Sequence, residues 1–160
     1  MKQILFVCTG NIFRSMTAEF ALRALLERDA PELSKQIQVG SAGIEAKPQT
    51  VHPLVVERLR EHGLDVSAHR QRKLDGDLLN ATTLCLAMGR DHQTFIKNSF
   101  ARNVPLFNAE VYGRDEAVLD VWEAVPDWQT NKLAAAAHTV AVVDYLVAAM
   151  PTLLGRLTVR

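Results

Sequence analysis

The residues best suited to chemistry lie together near the start of the chain. Cys8 offers a thiol that can act as a nucleophile, and Arg14, after five intervening residues, offers a planar guanidinium that matches two phosphate oxygens at once. Gly10 and Asn11 both tolerate positive φ, so the backbone between them can curl into a concavity lined by N–H groups. A helix that begins near Ser15 would add the partial positive charge of its N-terminus. The segment therefore predicts a loop that captures phosphate above a thiolate.

The environment of this thiol favours its ionised form. Cysteines at helix N-termini and beside arginine ionise more readily than free thiols, and the hydroxyl of Ser15 is placed to hydrogen-bond the resulting thiolate. The alternative is that Cys8 is a buried core cysteine beside a helix-capping turn. The spacing to Arg14 and the expected strand–loop–helix context favour the nucleophile, although the Cys-x5-Arg pattern alone is shared by several phosphatase folds.

The elements that must position this loop alternate between strands and helices. Short apolar runs predict strands over residues 4–7, 37–41, 82–87 and 103–107, and helical periodicity predicts helices over residues 17–28, 53–62, 90–98, 116–122 and 132–150. Such alternation indicates one α/β domain with a parallel sheet, spanning residues 1–160. Because ligands bind at the carboxyl ends of the strands in such sheets, the loop that follows the first strand is the expected site.

Composition and charge exclude several function classes. Lys+Arg and Asp+Glu balance at 18 each, which disfavours partners such as nucleic acid or a membrane surface. No apolar run approaches the length of a membrane span, and the apolar start is too short for a signal peptide, so a cytoplasmic location is expected. Two cysteines, Cys8 and Cys85, are too few for a disulfide framework or a cysteine-rich zinc site.

Residues 8–15, Cys-Thr-Gly-Asn-Ile-Phe-Arg-Ser, resemble the signature Cys-x-Gly-Asn-x-x-Arg-Ser of the low-molecular-weight protein tyrosine phosphatases. The similarity continues in the Ser-Ala-Gly of residues 41–43, in the Gly…His-x-x-Arg of residues 63–72 and in the strand of residues 84–88, which ends in Met. The resemblance implies a four-stranded parallel sheet with helices on both faces. It also implies that neither a metal nor a cofactor is needed.

By this resemblance Cys8 is the nucleophile and Arg14 binds the phosphate. The rest of the phosphate-binding loop is Thr9, Gly10, Asn11, Ile12, Phe13 and Ser15. Ser41 and His69 would hold Asn11, and through it the loop, in a strained shape. The alternatives are that Ser41 is only a turn residue and that His69 is only a surface histidine.

The family's general acid is an aspartate in a late segment of the form Asp-Pro-aromatic. Asp127 is the predicted acid here, with Trp128 where the proline would stand. Asp115, Asp120 and Asp144 remain competitors, and Asp127 could instead cap the last helix. A carboxyl group is needed to protonate the leaving oxygen and then to activate water.

The expected substrate is a protein phosphotyrosine, with inorganic phosphate as product. Ile12 and Trp128 are predicted to flank the ring, with Glu45 at the rim, although Trp128 could instead pack on the last helix. Phosphoarginine phosphatases of the family carry Thr where this chain has Ile12, which favours tyrosine. Arsenate reduction would need resolving cysteines that the chain does not offer. A binding module that has lost catalysis is the non-enzyme alternative, suggested by Trp128 and by Met16 in place of a proline.

Overall fold

One central strand organises the fold. In the computed structural model, which describes residues 1–159, β1 (Lys2–Cys8) is buried from Ile4 onward. It pairs in parallel with β2 (Ile37–Gly43) on one side and with β3 (Leu84–Ala87) on the other, which gives the order β2-β1-β3. A parallel strand that is covered on both faces is apolar along its length, and this explains the run Ile-Leu-Phe-Val.

The helices of the described residues are α1 (Arg14–Asp29), α2 (Pro31–Ser34), α3 (Pro53–Glu61), α4 (Gly76–Ala81), α5 (Arg90–Phe100), α6 (Phe107–Tyr112), α7 (Val121–Ala124) and α8 (Lys132–Thr158). They cover both faces of the sheet. Ile4 and Phe6 belong to a core shared with α1 and α8, whereas Leu5 and Val7 belong to a core shared with α4 and α5. Each such buried side chain stabilises the fold by roughly 1.5–3 kcal/mol. The α/β architecture and the helices on both faces agree with the sequence prediction.

The prediction of a fourth strand over residues 103–107 is wrong. The described sheet has three strands, and this segment contributes only a single parallel bridge between Leu106 and Ala87. Pro105 has no N–H to donate to a ladder, and Phe107 already begins α6. The pairing therefore ends after one residue.

The segment before the last helix also differs from the prediction. The short helix expected over residues 116–122 is displaced to α7, because the Val118 N–H donates to the carbonyl of Met88 at 2.8 Å and not to a carbonyl within a helix. This bond brings the segment to the carboxyl end of β3. It thereby carries Asp120 toward the loop after β1.

The last helix is longer than predicted. α8 continues through Pro151 to Thr158, and Leu146 and Leu153 on either side of the proline are both fully buried. By length and composition alone α8 would suffice to cross a membrane, but a core helix passes the same test, and α8 packs on α1 and α3.

Candidate active site

The loop between β1 and α1 lies at the carboxyl end of the sheet. Cys8 ends β1 directly beside Gly43 of β2, and Arg14 begins α1. A Cβ atom on Gly43 would stand 2.5 Å from the carbonyl oxygen of Thr9 and 2.9 Å from the nitrogen of Asn11. Only glycine at this position allows the loop to lie so close to β2.

Four consecutive carbonyl groups of the loop are hydrogen-bonded to the segments around it. The carbonyl of Cys8 accepts from the Ile44 N–H at 3.0 Å, and the carbonyl of Thr9 accepts from the Glu45 N–H at 2.9 Å. The carbonyl of Gly10 accepts from Gln71 Nε2, and the carbonyl of Asn11 accepts from His69 Nε2, each at 2.7 Å. The C=O and N–H groups of a trans peptide point in opposite directions. Anchoring the carbonyls outward therefore favours N–H groups on the inner side, where they can donate to an anion.

Asn11 fixes the bend of the loop. It is fully buried and adopts the left-handed conformation with φ 56°, which asparagine tolerates better than most residues. Its Oδ1 accepts from the Arg72 N–H at 2.8 Å, and its Nδ2 donates to Ser15 Oγ at 3.0 Å and to Ser41 Oγ at 2.7 Å. The structure thus places both Ser41 and His69 against Asn11.

The nucleophile candidate receives a directed hydrogen bond. Cys8 is buried, and its Sγ lies 2.9 Å from Ser15 Oγ. Since Ser15 Oγ already accepts from Asn11, its own proton is available to donate to the sulfur. Ser41, the other hydroxyl that accepts from Asn11, donates its own proton to the buried carboxylate of Glu19. The bonds to Ser41 and Glu19 hold the Asn11 amide in place, and this amide in turn directs the Ser15 proton toward the Cys8 sulfur.

Arg14 is the other buried member of the loop, with 1% of its surface exposed. Its Nη1 donates to the Val118 carbonyl at 2.8 Å, and its Nη2 donates to Asp120 Oδ2 at 2.8 Å. Its Nε is buried and has no hydrogen-bond partner among residues 1–159. Because buried donors are nearly always paired, this orphaned N–H fits an anion as its acceptor.

The structure brings Asp120, and not Asp127, to this site. Asp120 lines the same cavity as Cys8 and also caps α7, its Oδ1 accepting from the Val121 N–H at 2.7 Å. The carboxylate of Asp127 is exposed, and its hydrogen bond in the described chain is with Asn131 Nδ2 at 3.3 Å. Asp127 is not among the described residues that line the cavity above Cys8.

The cavity above Cys8, called the catalytic cavity below, has a volume of about 440 Å³. Its walls include the predicted Thr9, Gly10, Ile12, Phe13, Glu45 and Trp128. Trp128 is 38% exposed, and the ammonium of Lys132 lies 5.6 Å from the centre of its ring. The wall is mainly apolar, and its polar lining includes Glu45 and Asp120.

His92 is a neighbour of the loop that sequence reasoning missed. It is fully buried, its Nδ1 accepts from the Gly89 N–H at 2.9 Å, and its Nε2 lies 2.9 Å from Thr9 Oγ1. The first bond fixes the tautomer, so Nε2 carries the proton and donates to Thr9. Burial, followed by the charge of Arg14, lowers the pKa of His92 to about 4. A lone histidine at the start of a polar helix gave no signal of this contact.

Neither the second cysteine nor a cluster of metal-ligating side chains adds a reactive group to the loop in the described part of the chain. Burial raises the pKa of Cys85 to about 12, so its thiol stays protonated. Within residues 1–159 there is no group of three or more His, Cys, Asp or Glu side chains arranged to hold a metal ion.

The chain belongs to the low-molecular-weight phosphotyrosine protein phosphatases, whose family model matches residues 3–123. This span includes Asp120 and ends before Asp127. A probable low-molecular-weight protein-tyrosine-phosphatase, EpsP of Ralstonia solanacearum, is 43% identical over 90 residues, covering 56% of this chain and 57% of the relative. The matched part thus spans little more than half of that relative's length. The phosphatase Ptp of Acinetobacter johnsonii is 30% identical over 150 residues, covering 79% of this chain and 95% of the relative.

Relatives with other activities are also similar to the chain. A solved structure of the arginine phosphatase YwlE, a cysteine-to-serine mutant with a phosphorylated active-site serine, superposes with a TM-score of 0.79 at 27% identity, covering 98% of this chain and 95% of that one. An arsenate reductase of Staphylococcus haemolyticus is 36% identical over 90 residues, covering 56% of this chain and 62% of the relative.

Proposed function

We propose that the protein is a cytoplasmic hydrolase that removes phosphate from protein phosphotyrosine, and from aryl phosphates, through a cysteinyl-phosphate intermediate. The observation that carries this proposal is the arrangement at the floor of the catalytic cavity. Cys8 Sγ receives the Ser15 hydrogen bond there, in the same loop as the buried Arg14, whose Nε has no hydrogen-bond partner among the described residues. A thiolate and an anion cradle in one place are what covalent phosphoryl transfer requires.

In the first step the Cys8 thiolate attacks phosphorus. The S–P bond forms while the bond from phosphorus to the leaving oxygen breaks, and a carboxylic acid protonates that oxygen. Arg14 and the loop N–H groups stabilise the charge on the equatorial oxygens. In the second step the same carboxylate takes a proton from water, whose oxygen attacks phosphorus. The S–P bond breaks, which releases inorganic phosphate and regenerates the thiolate, held by Ser15.

We assign the acid and base role to Asp120 in place of Asp127. Asp120 lines the catalytic cavity and lies at hydrogen-bonding distance from Arg14, whereas Asp127 is exposed and bonded to Asn131. A phosphate dianion in the cradle competes with Asp120 for the Arg14 guanidinium. Binding of substrate would thereby release the Asp120 carboxyl toward the leaving oxygen.

The apolar walls support an aromatic substrate. Ile12 and Trp128 both line the catalytic cavity, and neither side chain offers a hydrogen bond to a guanidinium group. The similarity to the arginine phosphatase YwlE supports phosphoarginine as a second candidate. The phosphorylated active-site serine of that mutant also supports a covalent intermediate at the corresponding position here.

Arsenate reduction is a weaker candidate. It requires a second thiol to resolve the intermediate, and the chain's other cysteine, Cys85, is buried in β3 with a strongly raised pKa. Such a thiol is a poor attacking group.

The test is hydrolysis of p-nitrophenyl phosphate in buffer with EDTA by the wild type and by Cys8→Ser. We expect turnover by the wild type only, with unchanged circular dichroism. Rates on phosphotyrosine and phosphoarginine peptides of the same sequence then choose between the two substrates. A folded wild type that binds inorganic phosphate but does not hydrolyse p-nitrophenyl phosphate would instead identify a binding module.

A further inference from the structure

A second cavity, of about 920 Å³, lies beside the catalytic one. It lies between α3 and the segment of residues 63–71, and we call it the α3 groove. Its apolar surface includes Val56 on α3 and Leu64 and Val66 on the facing segment. The site described above does not use any of these three residues.

The α3 groove adjoins the catalytic cavity. Ile12 and Gln49 line both of them, so the groove begins where the wall of the catalytic cavity ends. Gln71 lines the groove as well, and its Nε2 donates to the Gly10 carbonyl of the phosphate-binding loop at 2.7 Å. A polypeptide whose phosphorylated side chain enters the catalytic cavity would therefore extend over this groove.

The charge of the groove is predominantly positive. Arg60 and Arg70 line it, both are exposed, and neither forms a salt bridge within residues 1–159. The guanidinium of Arg58, two residues before Arg60 on α3, is by contrast committed to Asp144 and Glu61. Asp65 supplies the one carboxylate of the lining. Arg70 Nη1 donates to the backbone carbonyl of His69 at 2.9 Å, and the charge of Arg60 acts on Asp65, so each guanidinium keeps further N–H groups for a ligand. Two such groups above an apolar surface suit a segment that combines carboxylates with an apolar side chain.

We infer that the α3 groove binds an acidic segment of the protein substrate next to its phosphorylated residue. This inference rests on the proposed phosphatase activity. The groove would then select among phosphoproteins, while the catalytic cavity selects the phosphorylated side chain. Since p-nitrophenyl phosphate carries no polypeptide, its turnover reports on the catalytic cavity alone.

The experiment compares two phosphotyrosine peptides that differ only in Glu or Gln at the positions flanking the phosphotyrosine. The enzymes are the wild type, the double variant Arg60→Gln/Arg70→Gln, and Arg28→Gln as a matched control. Arg28 is an exposed arginine in the last turn of α1, at the opposite end from the loop. Melting temperatures check that all three enzymes fold equally well.

We expect the wild type and Arg28→Gln to prefer the acidic peptide roughly five- to tenfold in kcat/KM, a preference that salt weakens. The double variant should lose the preference and keep its turnover of p-nitrophenyl phosphate. Equal rates on both peptides with the wild type, or a preference that survives in the double variant, would overturn the inference. So would a dimer in solution that the double variant abolishes, because a second copy would then occupy the groove.

Binding of the same peptides to Cys8→Ser, measured by fluorescence anisotropy, separates the two proposals. If p-nitrophenyl phosphate is not hydrolysed, the phosphatase proposal fails, and the anisotropy still tests the groove. If it is hydrolysed and the acidic peptide binds no better than its Gln counterpart, the groove inference alone fails.

Discussion

The Asp120 carboxylate lies 2.8 Å from the guanidinium of Arg14, although 106 positions separate the two residues in the chain. The contact forms because Val118, two residues before Asp120, is bonded both to Arg14 and to the end of the sheet at Met88. One buried arginine therefore ties the loop after β1 to the segment that carries the proposed acid. In the proposed mechanism this contact couples anion capture to proton transfer.

Replacing Asp120 tests the assignment of the acid. With phenyl phosphate, whose leaving oxygen needs a proton, Asp120→Asn should lower kcat by about a hundredfold. The matched variant Asp127→Asn should stay within about twofold of the wild type, because the Asp127 carboxylate is exposed and, among residues 1–159, is bonded only to Asn131. The inhibition constant of inorganic phosphate serves as the control. It should stay unchanged if Asp120→Asn only removes the acid, and it should rise if the variant also displaces Arg14. A large loss with Asp127→Asn and none with Asp120→Asn would restore the sequence-based assignment.

Gln71 is expected to act as a positioning residue for the loop. Its Nε2 donates to the carbonyls of Gly10 and Lys47, and its Oε1 accepts from the Gln49 N–H. Gln71→Ala should raise both KM for p-nitrophenyl phosphate and the inhibition constant of phosphate roughly three- to tenfold, the value of about one hydrogen bond. Gln36→Ala is the control, because Gln36 is an exposed glutamine bonded to Lys2 at the start of β1, the end of that strand opposite Cys8. A fall in melting temperature with unchanged kinetics would show that Gln71 only stabilises the fold.

His92 should make the protein less stable in acid. Its pKa is lowered from 6.5 to about 4 by burial and by Arg14, with Asp91 and Asp120 acting in the opposite direction. In the unfolded chain His92 binds a proton below about pH 6.5, whereas in the folded chain it stays neutral down to about pH 4. The free energy of unfolding therefore decreases as the pH falls from 6.5 to 4. The decrease attributable to His92 is about 3 kcal/mol.

Urea unfolding of the wild type and of His92→Gln at pH 7 and pH 4 measures this contribution. The glutamine amide can still donate to Thr9 but does not titrate, so the variant should lose less stability on acidification. Equal losses in the two proteins would show that His92 does not contribute to the pH dependence.

Local pattern was sufficient to predict the loop and the elements on each side of it. Cys8, Asn11, Arg14 and Ser15 lie within eight residues, and the apolar run before them and the helical spacing after them fix where they stand. The fourth strand failed because one proline and an early helix start outweigh a short apolar run. Whether a short apolar run becomes a strand or leads into a helix depends on how the segment packs in the folded protein.

The proposed acid, Asp120, could have been favoured from the sequence by a closer comparison of spacing. Asp120 is followed two residues later by Trp122, as in Asp-Pro-aromatic, whereas Trp128 directly follows Asp127. The contacts of Gln71 and His92 had no comparable signal. They join segments about 60 and 80 positions apart, and only the folded chain brings these together.

The most direct measurement is rapid acid quenching of the wild type during turnover of a phosphotyrosine peptide, followed by mass spectrometry of the protein fragments. The proposed mechanism predicts that phosphate is attached covalently to Cys8 of the wild type. In Asp120→Asn the level of this intermediate should increase if its breakdown is slowed more than its formation. The same experiment with Cys8→Ala should yield neither phosphoprotein nor turnover. Turnover by Cys8→Ala, or phosphate attached to a different residue of the wild type, would contradict the mechanism.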